Sequence, residues 1–192
     1  QKQVAKNMAR NWKAIPHVTQ HDDIDVTDLE TFRKEMEPTL GKLSAVAFIV
    51  KAVTIALKDF PQLNASLKND GETLVLKEYI HIGLAVNVKD GLLVPVIKNA
   101  DQKGLRELSY EISRLADGAR DGALSFQDFS GSSFTVSSLG KLGGTGFSPI
   151  INHPEVAILG VGRSSDRLMM SEGGVSNRKI LPLSLSYDHR VI

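Results

Sequence analysis

The sequence predicts one α/β domain with a mixed sheet and helices, on three observations. Apolar residues recur at helical spacing in three separated stretches. Between and after them lie short runs with the alternation or β-branched content of strands. No internal repeat, low-complexity tract or charge block divides the 192 residues. A chain of this length hides roughly 70% of the surface its unfolded form exposes, enough for one sizeable core.

The elements follow in order. Val4, Met8, Trp12 and Ile15 share a helical spacing while Lys2, Lys6, Arg10 and Lys13 fall largely on another face, so the chain opens with an amphipathic helix whose apolar stripe needs a partner. Pro16 stops it, and His17–Val26 reads as a strand. Thr27-x-x-Glu30 is a capping-box pattern and predicts a short helix from Asp28 to about Met36, ended by Pro38. Ser44 caps the apolar run Ala45–Leu57, a buried helix that Pro61 closes. Interrupted by Lys51 and Thr54, that run falls short of the ~20 residues that cross a bilayer.

Thr73–Lys77 is a short strand. Ile82, Leu84, Val86 and Val88 alternate with His81, Gly83, Ala85 and Asn87, and Asp90-Gly91 before Leu92–Ile97 predicts a β-hairpin with a primed turn. Leu105, Leu108, Ile112, Leu115 and Ala119 mark a further helix that Gly122 stops. Three strands complete the pattern, Ser133–Leu139, Val156–Val161 and Ile180–Tyr187, separated by glycine-rich loops.

Composition removes several function classes. With 42% hydrophobic and 23% charged residues and a formal net charge of +1, the chain lacks the basic excess that phosphate-backbone binding needs, so no nucleic acid partner is expected. No membrane partner is expected either. The absence of cysteine excludes a disulfide scaffold, a thiolate nucleophile, a Cys-ligated zinc and an iron–sulfur site. No signal peptide is read in the first residues. A start at Gln1 and an end at Ile192, just after a charged cluster, suggest a piece of a longer protein.

His17, His21, Asp22, Asp23 and Asp25 resemble a metal cluster, but in a strand histidines four apart lie about 13 Å from one another, too far to share an ion. No metal is expected. The loop Gly140–Gly146 has neither the G-x-G-x-x-G order nor a G-K-[ST] ending, and its glycines read better as a close approach to a neighbouring chain or a long thin ligand. In Leu181–Arg190 the odd positions carry Leu181, Leu183, Leu185, Tyr187 and His189, the even ones Ser184, Ser186, Asp188 and Arg190. His189 then shares the apolar face, where desolvation favours the neutral imidazole of a general base; a structural histidine bonded to a backbone carbonyl fits the same pattern. Asp188 and Arg190 share the other face and can pair. Ser137 and Ser138 place two hydroxyls at the end of a strand beside the glycine-rich loop, where a serine can bond local backbone as a turn residue, and no G-x-S-x-G elbow is present.

Six ordered segments then carry a resemblance: Met8–Thr19 (with Arg-Asn-Trp and Ile-Pro-His), Phe60–Leu67 (Phe-Pro-Gln-Leu-Asn-Ala-Ser-Leu), Gly91–Lys98 (Gly-Leu-Leu-Val-Pro-Val-Ile-Lys), Phe134–Gly140 (Phe-Thr-Val-Ser-Ser-Leu-Gly), Pro154–Val161 (Pro-Glu-Val-Ala-Ile-Leu-Gly-Val) and Leu181–Arg190, ending in Asp-His-Arg. Over essentially the whole chain they resemble the catalytic domain of the E2 acyltransferases of 2-oxo acid dehydrogenase complexes, and the Arg-Asn-Trp is most like the pyruvate-type members. The resemblance implies the two-layer α+β fold of chloramphenicol acetyltransferase, a mixed sheet with helices on one side, spanning 1–192 as a single acyltransferase domain.

It also implies trimers with active sites in channels between subunits, acyl-dihydrolipoamide entering one end and coenzyme A the other. His189 would take the thiol proton, and Ser137 of the adjacent subunit would donate a hydrogen bond to the tetrahedral oxyanion. Acyl transfer between two thiols needs no enzyme nucleophile, which suits a chain without cysteine; a thiol of ordinary pKa about 8.5 is within reach of a neutral imidazole. Lys98, leaving the second hairpin strand, is the candidate for the coenzyme A phosphates.

The lipoyl group is expected on a domain outside this chain. The implied partners are a homotrimer assembling into a larger hollow core, lipoyl domains, and the E1 and E3 components through other segments, in a bacterial cytoplasm or a mitochondrial matrix. Two departures stand out. The family pattern continues past Asp-His-Arg-x-x with an acidic residue, Gly and a helix, and the lipoyl domain, subunit-binding domain and Pro/Ala-rich linker of the family are expected outside residues 1–192. An alternative from another class is a catalytically silent scaffold subunit of such a core. A trimeric antibiotic acetyltransferase fits less well, because it carries His-His where Asp188-His189 stands.

Overall fold

Ile82, Leu84 and Val86 of one strand, Phe134 and Val136 of another and Ala157 and Val161 of a third build a single apolar layer against two helices. The computed structural model describes residues 2–41, 43–68, 70–89, 91–140, 143–171 and 173–192. In chain order these form α1 (Lys2–Ala14), β1 (His17–Asp25), α2 (Thr27–Leu40), α3 (Ala45–Asp59), β2 (Ala65–Leu67), β3 (Leu74–Leu76), β4 (Ile82–Val88), β5 (Gly91–Leu93), β6 (Val96–Ile97), α4 (Leu105–Asp121), β7 (Phe134–Ser138), β8 (Ala157–Val161), β9 (Ser165–Ser171) and β10 (Gly174–Asp188).

The main sheet runs β1-β10-β8-β7-β4-β5, with β6 also on β4 and β9 also on β10; β2 and β3 pair separately. β4–β7 and β7–β8 are parallel and the other pairs antiparallel, so the sheet is mixed. The α3 core face (Ala47, Val50, Val53, Leu57) and the α4 core face (Leu108, Ile112, Leu115, Ala119) cover one side. Ser44 caps α3 by accepting from the Val46 N–H at 3.2 Å, and Gly122 ends α4 in the left-handed region at φ 67°. The opposite side carries a smaller cluster, Ile15, Ile151 and Ile158, beneath α1 and the loop 147–152.

Several expectations need correction. Trp12 is not on the buried stripe of α1: it is 57% exposed, and Asn11 is buried instead, its Nδ2 donating to the Ile151 carbonyl at 3.0 Å. Thr27 does not cap α2. Its hydroxyl donates to Asp25 Oδ1 at 2.6 Å and accepts from the Lys179 N–H at 2.8 Å, which binds the turn to β10. Pro38 lies inside α2, because losing one internal hydrogen bond near the end does not stop the last turn; Gly41, at φ 73°, follows it. The expected second hairpin strand is two, since β5 pairs with the end of β4 and β6 with its start, and Pro95 between them accepts from the Leu84 N–H. Asp90 of the expected turn, and Lys141 and Leu142 of the glycine-rich loop, lie outside the described residues.

Candidate active site

Ser137 is positioned by parallel pairing on both sides, opposite Ala85 of β4 and Gly160 of β8. Alternation puts Phe134, Val136 and Ser138 toward the helices and Ser133, Thr135 and Ser137 toward the loop face. There Ser137 is half-buried and lines a cavity of about 210 Å³ together with Met8, Leu92, Val94, Phe147 and Ile158. Gly160 makes this wall possible: a Cβ there would lie 2.8 Å from the Phe147 ring and 3.2 Å from the Ser184 carbonyl. The cavity lining is apolar apart from the Ser137 and Thr135 hydroxyls and Asn152, so the Ser137 hydroxyl faces a mostly apolar space.

His189 sits differently. β10 ends at Asp188, and His189 lies one residue beyond, its backbone N–H donating to the Pro16 carbonyl at 3.0 Å and its ring edge-on to Tyr187 at 5.9 Å. It is exposed, which corrects the expectation that it shares the desolvation of the leucines before it. Those residues, Leu181, Leu183, Leu185 and Tyr187, are packed against the helix-side core but only half-buried; the fully buried face is Ser184, Ser186 and Asp188.

The flanking pair holds the turn. Asp188, 2% exposed, receives the Arg190 guanidinium on both oxygens, at 2.9 Å to Oδ1 and 2.6 Å to Oδ2, and its own N–H donates to the Val156 carbonyl. The expected pairing of Asp188 with Arg190 is therefore present, and it fixes the residues on either side of His189.

Within one chain the structure does not bring Ser137 and His189 together. Ser137 is opposite Gly160, which is opposite Ser184, and His189 is five residues further along β10. Two strand spacings and five residues of rise separate them by about 20 Å. They also look out on different sides of the sheet, Ser137 on the loop face and His189 on the Tyr187 side.

Lys98 is apart from both. Its ammonium donates to the Ser130 carbonyl ahead of β7, beside His81, whose imidazole pKa is held below the ordinary value by burial and by the Lys98 charge. His17 has both ring nitrogens engaged, Nδ1 donating to the Ile15 carbonyl at 2.8 Å and Nε2 accepting from the Ile151 N–H at 2.9 Å. His21 Nδ1 meets Ser184 Oγ at 2.8 Å. Among the described residues no three His, Asp or Glu side chains are grouped to hold a metal ion.

One titratable group was not singled out from sequence. Glu155 is fully buried, and burial pushes its carboxyl up to about 7 against the pull of the Ser132, Thr135 and Asn152 side chains. The signal was there to read: a charge abutting the apolar run Val156–Val161.

The family model for the 2-oxoacid dehydrogenases acyltransferase catalytic domain matches residues 1–192. This chain belongs to that family. The acyltransferase domain is 53% identical over 190 residues to the dihydrolipoyllysine-residue acetyltransferase component of the pyruvate dehydrogenase complex of Cupriavidus necator, covering 97% of this chain and 34% of that protein. It is 50% identical to the same component of Haemophilus influenzae, again over 97% of this chain and 34% of that one. The chain thus spans about a third of the length of these two relatives.

Among solved structures, Azotobacter vinelandii dihydrolipoamide acetyltransferase superposes with a TM-score of 0.95 at 46% identity, over all of this chain and 80% of that one. That structure belongs to a crystallographic and enzymatic investigation of the role of one serine, one histidine and one asparagine in that enzyme's catalytic mechanism. The cubic core of a pyruvate dehydrogenase multienzyme complex superposes equally well, at the same identity and coverage. Chloramphenicol acetyltransferase, 15% identical with a TM-score of 0.56, shares the fold. The acyltransferase domain thus has the expected mixed sheet with helices, α3 and α4 packed together on one side.

Proposed function

We propose that this acyltransferase domain moves an acetyl group between dihydrolipoamide, carried on a lipoyl domain, and coenzyme A, in a site shared by two copies of the chain. The observation that carries the shared site is the separation of Ser137 and His189 by about 20 Å and by the sheet itself. Neither can serve the other's substrate in one chain, while a serine from one copy and a histidine from the next can meet across an interface. The serine and histidine studied in the Azotobacter enzyme are 52 positions apart, and so are Ser137 and His189.

In the reaction, His189 accepts the proton of the attacking thiol, the sulfur forms a bond to the thioester carbonyl carbon, and the carbonyl electrons move onto oxygen. Ser137 Oγ donates a hydrogen bond to that oxyanion. Collapse breaks the original carbon–sulfur bond, and the departing thiolate takes the proton back from the His189 imidazolium. No bond to the protein forms. Homotrimers that assemble into a larger hollow core, with the E1 and E3 components held through other segments, complete the proposed setting; Lys98 is proposed to meet a coenzyme A phosphate.

Thiol release from dihydrolipoamide and acetyl-coenzyme A tests the activity in the full-length protein. Co-refolding inactive His189→Ala with inactive Ser137→Ala subunits tests the sharing. Activity is expected to return, because mixed assemblies contain interfaces that pair an intact histidine with an intact serine. Co-refolded mixtures that stay at the level of the single variants overturn the shared site, and an intact protein without transfer makes it the silent scaffold.

A further inference from the structure

Glu155 joins the two strands that carry Ser137 and His189. It follows the His153-Pro154 peptide at the end of the loop over the Ser137 cavity, and its neighbour Val156 accepts the Asp188 N–H at 2.8 Å. Its side chain reaches the start of β7: Oε1 accepts from Ser132 Oγ and from Asn152 Nδ2, the latter at 3.1 Å. Oε2 is buried with no hydrogen bond, and so is the hydroxyl of Thr135, which faces the same carboxyl. Two orphaned buried polar atoms on facing groups are costly if nothing joins them. A hydrogen bond between them can run either way: a neutral carboxyl donates from Oε2 to Thr135 Oγ while Oε1 keeps its two donors, and the Thr135 hydroxyl donates to Oε2 when the carboxyl is ionised.

Asn152 and Thr135 both line the Ser137 cavity, and Thr135 is two residues from Ser137 on the same face of β7. Gly83 keeps that spot tight, for a Cβ there would lie 2.7 Å from Thr135 Oγ. The ionisable groups around Glu155 supply no counter-charge. Asp188 and Arg190 are paired with each other, and Lys68, across the small cavity they share, is exposed. His153 has its imidazole pKa pushed down by burial and by Arg10 and Arg190. β7 and the two residues before it bring only hydroxyls to this side, those of Ser132, Ser133, Thr135 and Ser137.

We propose that Glu155 is a positioning residue for the transfer: its protonated carboxyl clamps the start of β7 to the 152–156 turn so that Ser137 Oγ meets the oxyanion, and its ionisation opens the clamp. A carboxylate there has only the neutral donors Ser132, Asn152 and Thr135 and no counter-ion in a buried site, so the loss of the proton favours opening of the site to water, which moves Asn152 or the start of β7. The inference rests on the acetyl-transfer reading above and adds a group that never touches substrate.

The experiment is the pH profile of transfer by the full-length assembled protein, measured for the wild type, Glu155→Gln and Glu155→Ala. A glutamine keeps the acceptor for Ser132 and Asn152 and places an N–H donor where the neutral acid has its O–H. The wild type should lose activity as the pH rises through about 7, a fall that Glu155→Gln lacks. Below that point Glu155→Gln should stay within about three-fold of the wild type, while Glu155→Ala loses at least ~10-fold in kcat with KM little changed, the pattern of a displaced donor. Thiol ionisation affects all three alike and cancels in the ratio. A wild type without transfer overturns the acetyl-transfer reading. A wild type that transfers with the same pH profile as Glu155→Gln, or a Glu155→Gln as impaired as Glu155→Ala, overturns the role of Glu155 and leaves that reading standing.

Discussion

The end of β7 and the end of β10 hold their functional side chains in opposite ways. Ser137 lies in a strand paired on both sides, beneath Phe147 and in a cavity walled by its own chain. His189 stands past the last ladder pair, with its backbone fastened by Pro16 and the Asp188–Arg190 pair but its ring open on the Tyr187 side. In the proposed reaction the oxyanion donor's half of the site is finished by folding within one chain, and the base's half is completed by the next copy. An oxyanion donor must be fixed before charge develops, so the proposal places it in the rigid part. A base that must meet thiols arriving from elsewhere can stand at an edge.

The comparison can be broken most sharply at the histidine. His189→Ala should lower transfer by roughly 10²–10⁴-fold with assembly intact, as measured by thiol release and sedimentation. A loss of only a few-fold would remove His189 as the base. Ser137→Ala should cost on the order of 10²–10³ in kcat with coenzyme A affinity little changed, and Ser138→Ala, which points to the helix side, should be milder. A defect confined to KM would mean that the walled half only binds.

Two smaller effects concern stability. Glu155 binds its proton more tightly in the folded chain (about 7) than at its ordinary 4.5, so the fold is favoured at low pH and loses that advantage as the pH rises from 4.5 through 7. The loss amounts to roughly 3 kcal/mol, and chemical denaturation across that window should show Glu155→Gln without it. Last, Arg190→Ala should destabilise by about 2 kcal/mol and Asp188→Asn by less than ~1, because the arginine side chain is 43% exposed and can return to water while the carboxylate it leaves behind is buried. Equal losses would mean that the pair does not hold the turn before His189.

Much of this was legible in the chain. The alternation of Ile82–Val88, the cap at Ser44 and the stop at Gly122 gave the elements that place Ser137, because local propensity and tertiary packing agree there. β9 escaped because Ser165–Ser171 carries Asp166 and Arg167 beside exposed Leu168 and Met170, with neither face committed to the core. The burial of His189 was misjudged because periodicity holds only while the strand lasts, and β10 stops one residue earlier. The roof over Ser137 could not be read at all: Phe147 is set by a contact with Gly160 that no spacing in the sequence announces.

β10 runs unbroken for 15 residues, yet its neighbours change along the way. From Gly174 to Asn177 its ladder partner is β9, whereas Leu183–Tyr187 is bonded to β1 on one side and β8 on the other. Backbone amides should therefore exchange with solvent fastest in the ribbon and slowest in the last third of the same strand, although nothing in the covalent chain marks the change. The ribbon can open and close many times while the segment leading to His189 stays shut. The clock that governs loss of the histidine's setting is thus the opening of the whole sheet, and fraying at the far end of its own strand leaves it untouched.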